Sequence, residues 1–326
     1  MEEPKSTNTN NIDSSMNSRK RAYFILILVV LLWGINWPIM KFALESIPPL
    51  TFGAIRMGVG SLVFFFILSI TNRLSVPRLV DLRIVFSEGI LHMAAPIGLM
   101  NLALLHVEAG KSAILSFTTT LWIAPFATLV LGEKMSRGKA AGLALGLIGI
   151  AILFNPFALD WGSTDVLVGN LLLMLAAFTW AIAILIARTH SWSLTPLQLV
   201  PWQLMLSSVL LFIPATVLES TSDIQWSWGL GLNLLFNGAV ASGFCFWAAL
   251  TVSRDLPSIE ASIGFLGVPV AGVLFSALLL GEAVTISLAT GLIFIIGGIA
   301  VVNFAEAQLF PKKLTTSARQ ATDPLD

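Results

Sequence analysis

The feature that most constrains this chain is a succession of apolar stretches, each about as long as a lipid bilayer is thick. Spanning the hydrocarbon takes roughly 20 mostly apolar residues. Ten such stretches run along the chain, at 22–41, 50–70, 84–104, 109–131, 138–155, 168–187, 196–217, 230–251, 258–280 and 286–305. Short connections separate them and carry turn or charge signals, such as Pro48-Pro49, Asn72-Arg73, Gly132-Glu133-Lys134, Asn155-Pro156 and Asp255-Leu256-Pro257. Only 11% of residues are charged and the mean hydropathy is +0.87. Soluble domains are about a quarter charged, so this chain has too little polar surface to cover a water-soluble globule.

The first 18 residues form a polar Asn/Ser-rich tail, followed by Arg19-Lys20-Arg21 and an apolar run without a small-residue cleavage site. That run is too long for a signal-peptide core and long enough to span. The segments 1–21 and 306–326 are expected to be disordered cytoplasmic tails. A single cysteine, Cys245, excludes an intrachain disulfide and a cysteine-based metal cage.

Lysine and arginine set the orientation. With the N-terminus in the cytoplasm, 15 of the 18 basic residues fall in inside segments, Lys41 and Lys111 fall outside, and Arg56 lies within a span. The outside connections instead carry Glu45, Asp160, Asp165, Glu219 and Asp223. This positive-inside pattern requires an even number of spans with both tails inside, and ten satisfies it.

The two halves of the chain repeat. Trp33 matches Trp180 and Pro49-Leu50 matches Pro196-Leu197, both 147 residues apart. Leu131-Gly132-Glu133 matches Leu280-Gly281-Glu282, and Gly142 and Gly149 match Gly291 and Gly298, all at 149. Each half has five spans, an odd number, so the second enters the membrane from the opposite side. The expected fold is therefore an all-α polytopic membrane protein of ten transmembrane helices, a 5+5 inverted-topology repeat over 22–155 and 168–305, N-in/C-in. Two similar bundles related by an axis in the membrane plane can rock about a midplane site, a plan of secondary transporters.

Several tracts together resemble the EamA-type drug/metabolite transporter family. They are Leu31-Leu32-Trp33-Gly34-Ile35-Asn36-Trp37-Pro38, Pro49-Leu50-Thr51-Phe52-Gly53-Ala54-Ile55-Arg56, the two Leu-Gly-Glu endings and the glycine-paired fifth and tenth spans. The similarity covers roughly residues 22–305. It implies a ten-helix metabolite exporter or exchanger, often of amino acids or related compounds, without an ATPase domain. The family usually keeps a proline before the second Gly-Glu ending, and Pro269 fits. In the first half Thr120 takes that place, with Pro125 five residues later. That departure predicts a differently bent fourth helix.

Polar groups at membrane depth are costly and invite a functional reading. In the first span Trp33 and Asn36 either line a pocket or belong to an interfacial, kinked segment with Trp37 and Pro38. His92 lies about 12 Å into the third span by helical rise, and Glu88, at i−4, shares its face. The pair could carry a proton or meet a substrate, or His92 is a satisfied core histidine. Ser116, Thr119 and Trp122 belong to a hydroxyl-rich fourth span that forms a binding wall or back-bonds to its own helix. Trp180 is expected to face Trp33, its repeat partner. Asn237 and Trp247 come from the eighth span. Arg56 snorkels outward, pairs with a carboxylate, or holds a substrate carboxylate. Glu133 and Glu282 suit a capping or gating role, and Glu260 a hydrated rim. The Gly/Ala-rich fifth and tenth spans read as packing or dimer helices, not pocket helices.

The leading expectation is a secondary transporter moving amino acids or similar metabolites, in the export direction, across a bacterial inner membrane by alternating access. The alternatives are a non-transporting sensor or scaffold and, further off, an intramembrane enzyme. No Walker-type phosphate loop is present, no span holds an aspartate, and there is no GxSxG. The expected partners are a small-molecule substrate and the bilayer, with a homodimer through the fifth and tenth helices open. No cofactor, metal or nucleic acid is expected.

Overall fold

The computed structural model describes residues 9–131, 135–154, 164–256, 261 and 264–309. These residues are helical throughout, with short connections. In chain order the helices are α1 (Thr9–Ala43), α2 (Pro49–Ile70), α3 (Leu79–Ala103), α4 in two pieces (Ala109–Ser116 and Thr119–Leu131) and α5 (Arg137–Phe154). The second half holds α6 (Thr164–Thr189), α7 (Pro196–Leu218), α8 (228–255), α9 (Gly267–Leu280) and α10 (Ile286–Leu309). Among the described residues a helix lies in each of the ten expected spans. Among the described residues seven helices are individually long and apolar enough to cross a membrane. The others are α4, which is broken, α5, and α9, described over 14 residues.

The repeat is visible in reciprocal contacts. Ser61 of α2 donates its hydroxyl to the Pro201 carbonyl of α7 at 2.9 Å, and Ser208 of α7 donates to the Ala54 carbonyl of α2 at 2.8 Å. Ser61 and Ser208 are 147 apart, as are Ala54 and Pro201, so one bond is the image of the other. The same holds between α5 and α10. A Cβ on Gly142 would meet the Gly298 carbonyl at 2.7 Å, and one on Gly149 would meet the Gly291 carbonyl at 2.9 Å. The remaining packing obeys the same exchange, with α1 against α9 as α6 is against α4, and α2 against α8 as α7 is against α3. Two five-helix units are thus inverted relative to each other around an axis through the α2–α7 and α5–α10 crossings. The offset grows from 147 to 149 because α7 has 23 residues where α2 has 22, and the connection 219–227 is one residue longer than 71–78.

Small residues set these crossings, since without a water-driven term helices in lipid associate by close backbone approach. Large side chains such as Phe66, Leu62, Phe212 and Ile213 point outward and are more than half exposed, as a lipid-facing surface requires. The glycine faces of α5 and α10 are used on each other inside the chain.

Two expectations are corrected. The segment 9–21, read as part of a disordered tail, is the start of α1, which continues without a proline or glycine into the first span. The helix of α4 is interrupted over Phe117-Thr118 and restarts at Thr119, whereas before α9 Leu266 leaves the helix and Gly267 restarts it. The tenth span is not a packing helix alone, because Ile299 and Asn303 reach the interior cavity.

Candidate functional site

Between the two halves lies a cavity of about 640 Å³. Its deep end is formed by Trp33 of α1, His92 of α3, Trp180 of α6 and Phe246 of α8. Its walls continue through Glu88, Thr119, Ile184, Leu199 and Gln203. It reaches one end of the bundle at Ala187, Trp192, Pro196 and Asn303. That end, the basic end, carries the α2–α3 connection and the chain before α7, with Arg73, Arg78 and Arg83.

The floor is a chain of rings. Trp33 meets Phe265 at 6.2 Å and Phe246 edge-on at 5.7 Å. Phe246 meets His92 edge-on at 5.1 Å, His92 stacks on Trp180 at 5.0 Å, and Trp180 meets Phe117 at 6.2 Å. Aromatic pairs at such spacings fix ring orientation as well as adding dispersion. Trp33 and Trp180, repeat partners in the sequence, therefore face one chamber.

His92 and Glu88 sit on a π-helical segment, Glu88–Ala94. His92 Nδ1 is hydrogen-bonded to a Glu88 carboxylate oxygen, and His92 Nε2 has no partner among the described residues. Pro96 follows the segment and contributes no N–H, which loosens the ladder one turn back. The second half has the counterpart, a π segment at Phe236–Phe244. Its Ala241 carbonyl accepts from Trp33 Nε1 at 2.9 Å, which locks the tryptophan across the cavity floor.

The other expected site residues divide. Thr119 is in the cavity wall, with its hydroxyl donated back to the Ser116 carbonyl at 3.0 Å. Thr118 back-bonds to the Leu115 carbonyl at 2.6 Å, so the hydroxyl cluster marks the break in α4 as much as the wall. Ser116 is buried and lies off the wall. Trp122 packs edge-on against Phe178 at 5.6 Å, and Trp247 lies tilted against Phe244 at 5.7 Å; neither lines the cavity. Asn36, Arg56 and Asn237 are buried beyond the floor. Glu133 and Glu260 lie outside the described residues. Sequence reasoning gave Phe117, Phe246, Phe265 and Asn303 no mention as site residues, and noted Gln203 only as the repeat partner of Arg56. Gln203 and Asn303 had a signal, a polar group in an apolar span, whereas a phenylalanine among 21 had none.

The opposite end of the bundle is closed by carboxylate caps that cross between the halves. Glu282, beyond α9, accepts from the Ala109 and Gly110 N–H groups at the start of α4, at 2.6 and 2.8 Å. Glu219, beyond α7, accepts from the Leu50 and Thr51 N–H groups at the start of α2, both at 2.7 Å. Lys41 donates to the Leu104 carbonyl, and to that of Val107 at 2.9 Å, near the end of α3. Anions at helix starts and a cation at a helix end match the helix dipoles. Charge-assisted bonds of this kind contribute about 1.5–3 kcal/mol. Glu282→Gln is therefore expected to raise amide exchange across 109–116 by roughly tenfold, measured by hydrogen–deuterium exchange. Unchanged exchange would show that the cap does not hold this end.

A multi-pass helical bundle with a chamber between two inverted halves defines a membrane transporter. The chain belongs to the EamA-like transporter family, whose model matches residues 20–155 and 167–304, one match per half. It is 30% identical over 293 residues to the uncharacterized transporter YvbV of Bacillus subtilis, covering 87% of this chain and 92% of that one. It is 26% identical to a probable amino-acid metabolite efflux pump of Salmonella typhimurium, over 85% of this chain and 93% of the relative. A crystal structure that is 17% identical superposes with a TM-score of 0.62, over 87% of this chain and 99% of that one, and shares its fold.

Proposed function

We propose that this protein exports small metabolites, amino acids or related compounds, by alternating access through the chamber between its halves. The observation that carries this reading is the asymmetry of the bundle along its length. The cavity extends to the basic end, and the other end is sealed by Glu219, Glu282 and Lys41. The excess of lysine and arginine supports placing the basic end in the cytoplasm, and a bacterial inner membrane is the setting of this proposal. The conformer is then the one loaded from the cell interior. Rocking about the axis exchanges the roles of the two ends, because each half offers the other the same contacts in reverse. The amino-acid class is supported by the name of the Salmonella relative and by the chamber, whose size and ring-lined floor suit a small solute with an apolar body.

Proteoliposomes preloaded with a labelled panel of amino acids and nucleosides test the proposal. Chemically unchanged solute is expected to leave faster than from protein-free vesicles. No flux of any compound in either orientation would overturn it in favour of a sensor or scaffold, and an altered product would indicate an enzyme.

A further inference from the structure

Arg56 is the charged group that the chamber leaves unexplained. It lies within α2, 2% exposed, at a depth where an ionised side chain needs compensation. Among the described residues its guanidinium forms no ion pair. One terminal nitrogen donates to the Ser242 hydroxyl at 3.0 Å and the other to the Met40 thioether at 3.2 Å. Its carbon stands 5.7 Å from the centre of the Phe52 ring, and Nε has no partner. A hydroxyl, a sulfur and a ring face are weak compensation for a buried cation. A methionine would fill the space at less cost, so a stability role does not account for the charge.

The surroundings say what would. Ser242 follows Ala241, whose carbonyl holds Trp33 across the cavity floor. Arg56 therefore lies just behind that floor. Asn36, one turn beyond Trp33, donates to the same Met40 sulfur at 3.0 Å, and its Oδ1 has no partner. Asn237 turns its amide nitrogen to Asn233 at 2.8 Å and likewise leaves Oδ1 without a partner. Asn36 shares the Met40 sulfur with Arg56, and Asn237 precedes Gly238, where a Cβ would meet the Arg56 carbonyl at 2.6 Å, so spare donors on a cation lie near two spare, buried amide acceptors. A carboxylate satisfies the guanidinium in a bidentate manner, and an ammonium satisfies the amide oxygens.

We infer that Arg56, Asn36 and Asn237 form a head-group site for an α-amino carboxylate, covered by Trp33 in this conformation, with the solute's apolar body held by the aromatic chamber. The inference rests on the transport reading and adds a requirement for a carboxylate. It also makes Trp33 a cover whose displacement exposes the site.

The test uses the full chain in proteoliposomes and three labelled probes: phenylalanine, phenethylamine, which lacks the carboxylate, and 3-phenylpropionate, which lacks the ammonium. Wild-type protein is expected to move phenylalanine about tenfold or more faster than either analogue, the effect of one lost charged hydrogen-bond partner. Arg56→Gln is expected to bring phenylalanine down to the rate of phenethylamine, and Arg56→Lys to keep part of the preference. The inference is overturned if wild type moves either analogue as fast as phenylalanine. It is also overturned if Arg56→Gln slows all probes in parallel, the result of a structural role. Should Arg56→Gln fail to fold, the wild-type ranking and Arg56→Lys still decide. Wild type that moves other solutes but none of these three defeats the head-group site and leaves transport standing. Flux of nothing at all defeats the transport reading instead.

Discussion

His92→Ala is expected to lower solute flux by roughly tenfold or more while leaving the amount of protein in the membrane unchanged. The imidazole joins the two halves at the floor of the chamber, stacked on Trp180 of α6 and edge-on to Phe246 of α8. It also holds the Glu88 carboxylate. Removing the ring strips that carboxylate of its partner in a partly buried position, which costs about 1–3 kcal/mol. The lost ring borders a cavity already present, so the bundle has little packing to lose. His92→Gln, which keeps a polar group but no ring, should recover only a fraction of the flux. Glu88→Gln should fall between wild type and His92→Ala, because an amide oxygen can still accept from the imidazole. The measurement is initial efflux normalised to protein quantified in the membrane, and undiminished flux in His92→Ala would remove the histidine from the route.

The second large effect concerns stability. A Cβ at Gly298 would come within 2.6 Å of the Gly146 nitrogen, 2.7 Å of the Gly142 carbonyl oxygen and 2.8 Å of the Gly146 Cα. These are backbone atoms, and no rotamer change moves them away. Gly298→Ala must push α5 and α10 apart, at a cost of about 1–3 kcal/mol for overpacking. The adjacent Gly297 is the control, because its Cβ would meet only the Leu145 Cδ2, at 3.3 Å. Gly297→Ala gains helix propensity, up to about 1 kcal/mol, and should be neutral or stabilising. Thermal unfolding of the detergent-solubilised protein should therefore separate two neighbouring, chemically identical substitutions. Equal unfolding temperatures for the two variants would mean that the α5–α10 approach is not tight.

Much of the architecture is legible in the residues because lipid imposes blunt requirements. Span length, the placement of lysine and arginine, and the matched glycines each follow from one strong physical demand. Those demands found ten helices and two halves, and marked α5 and α10 as close-packing helices without saying that they pack on each other. The site is less legible. The π segments at Glu88–Ala94 and Phe236–Phe244 shift backbone register without a distinctive composition, although Gly89, Gly238 and Gly243 lie in them. The Glu88–His92 pair was readable because i and i+4 stay neighbours in either helix type. Phe246 and Phe265 were not, because their role comes from facing Trp33 and His92 across chain separations that local pattern does not encode. Trp122 and Trp247 show the converse, since an indole at the right depth says nothing about which neighbour it turns toward.

The paired bonds of Ser61 with Pro201 and Ser208 with Ala54 have a consequence for how such a chain can change over generations. Positions on the axis answer to a counterpart in the opposite half, so drift at Gly142 is judged by Gly298 and drift at Gly149 by Gly291. A bulkier residue on one side survives only with matching relief about 150 positions away, by the repeat offset seen here. The halves are free to diverge where they line the chamber and are bound together where they touch, which lets a single scaffold be refitted to new solutes without losing the contacts between its halves.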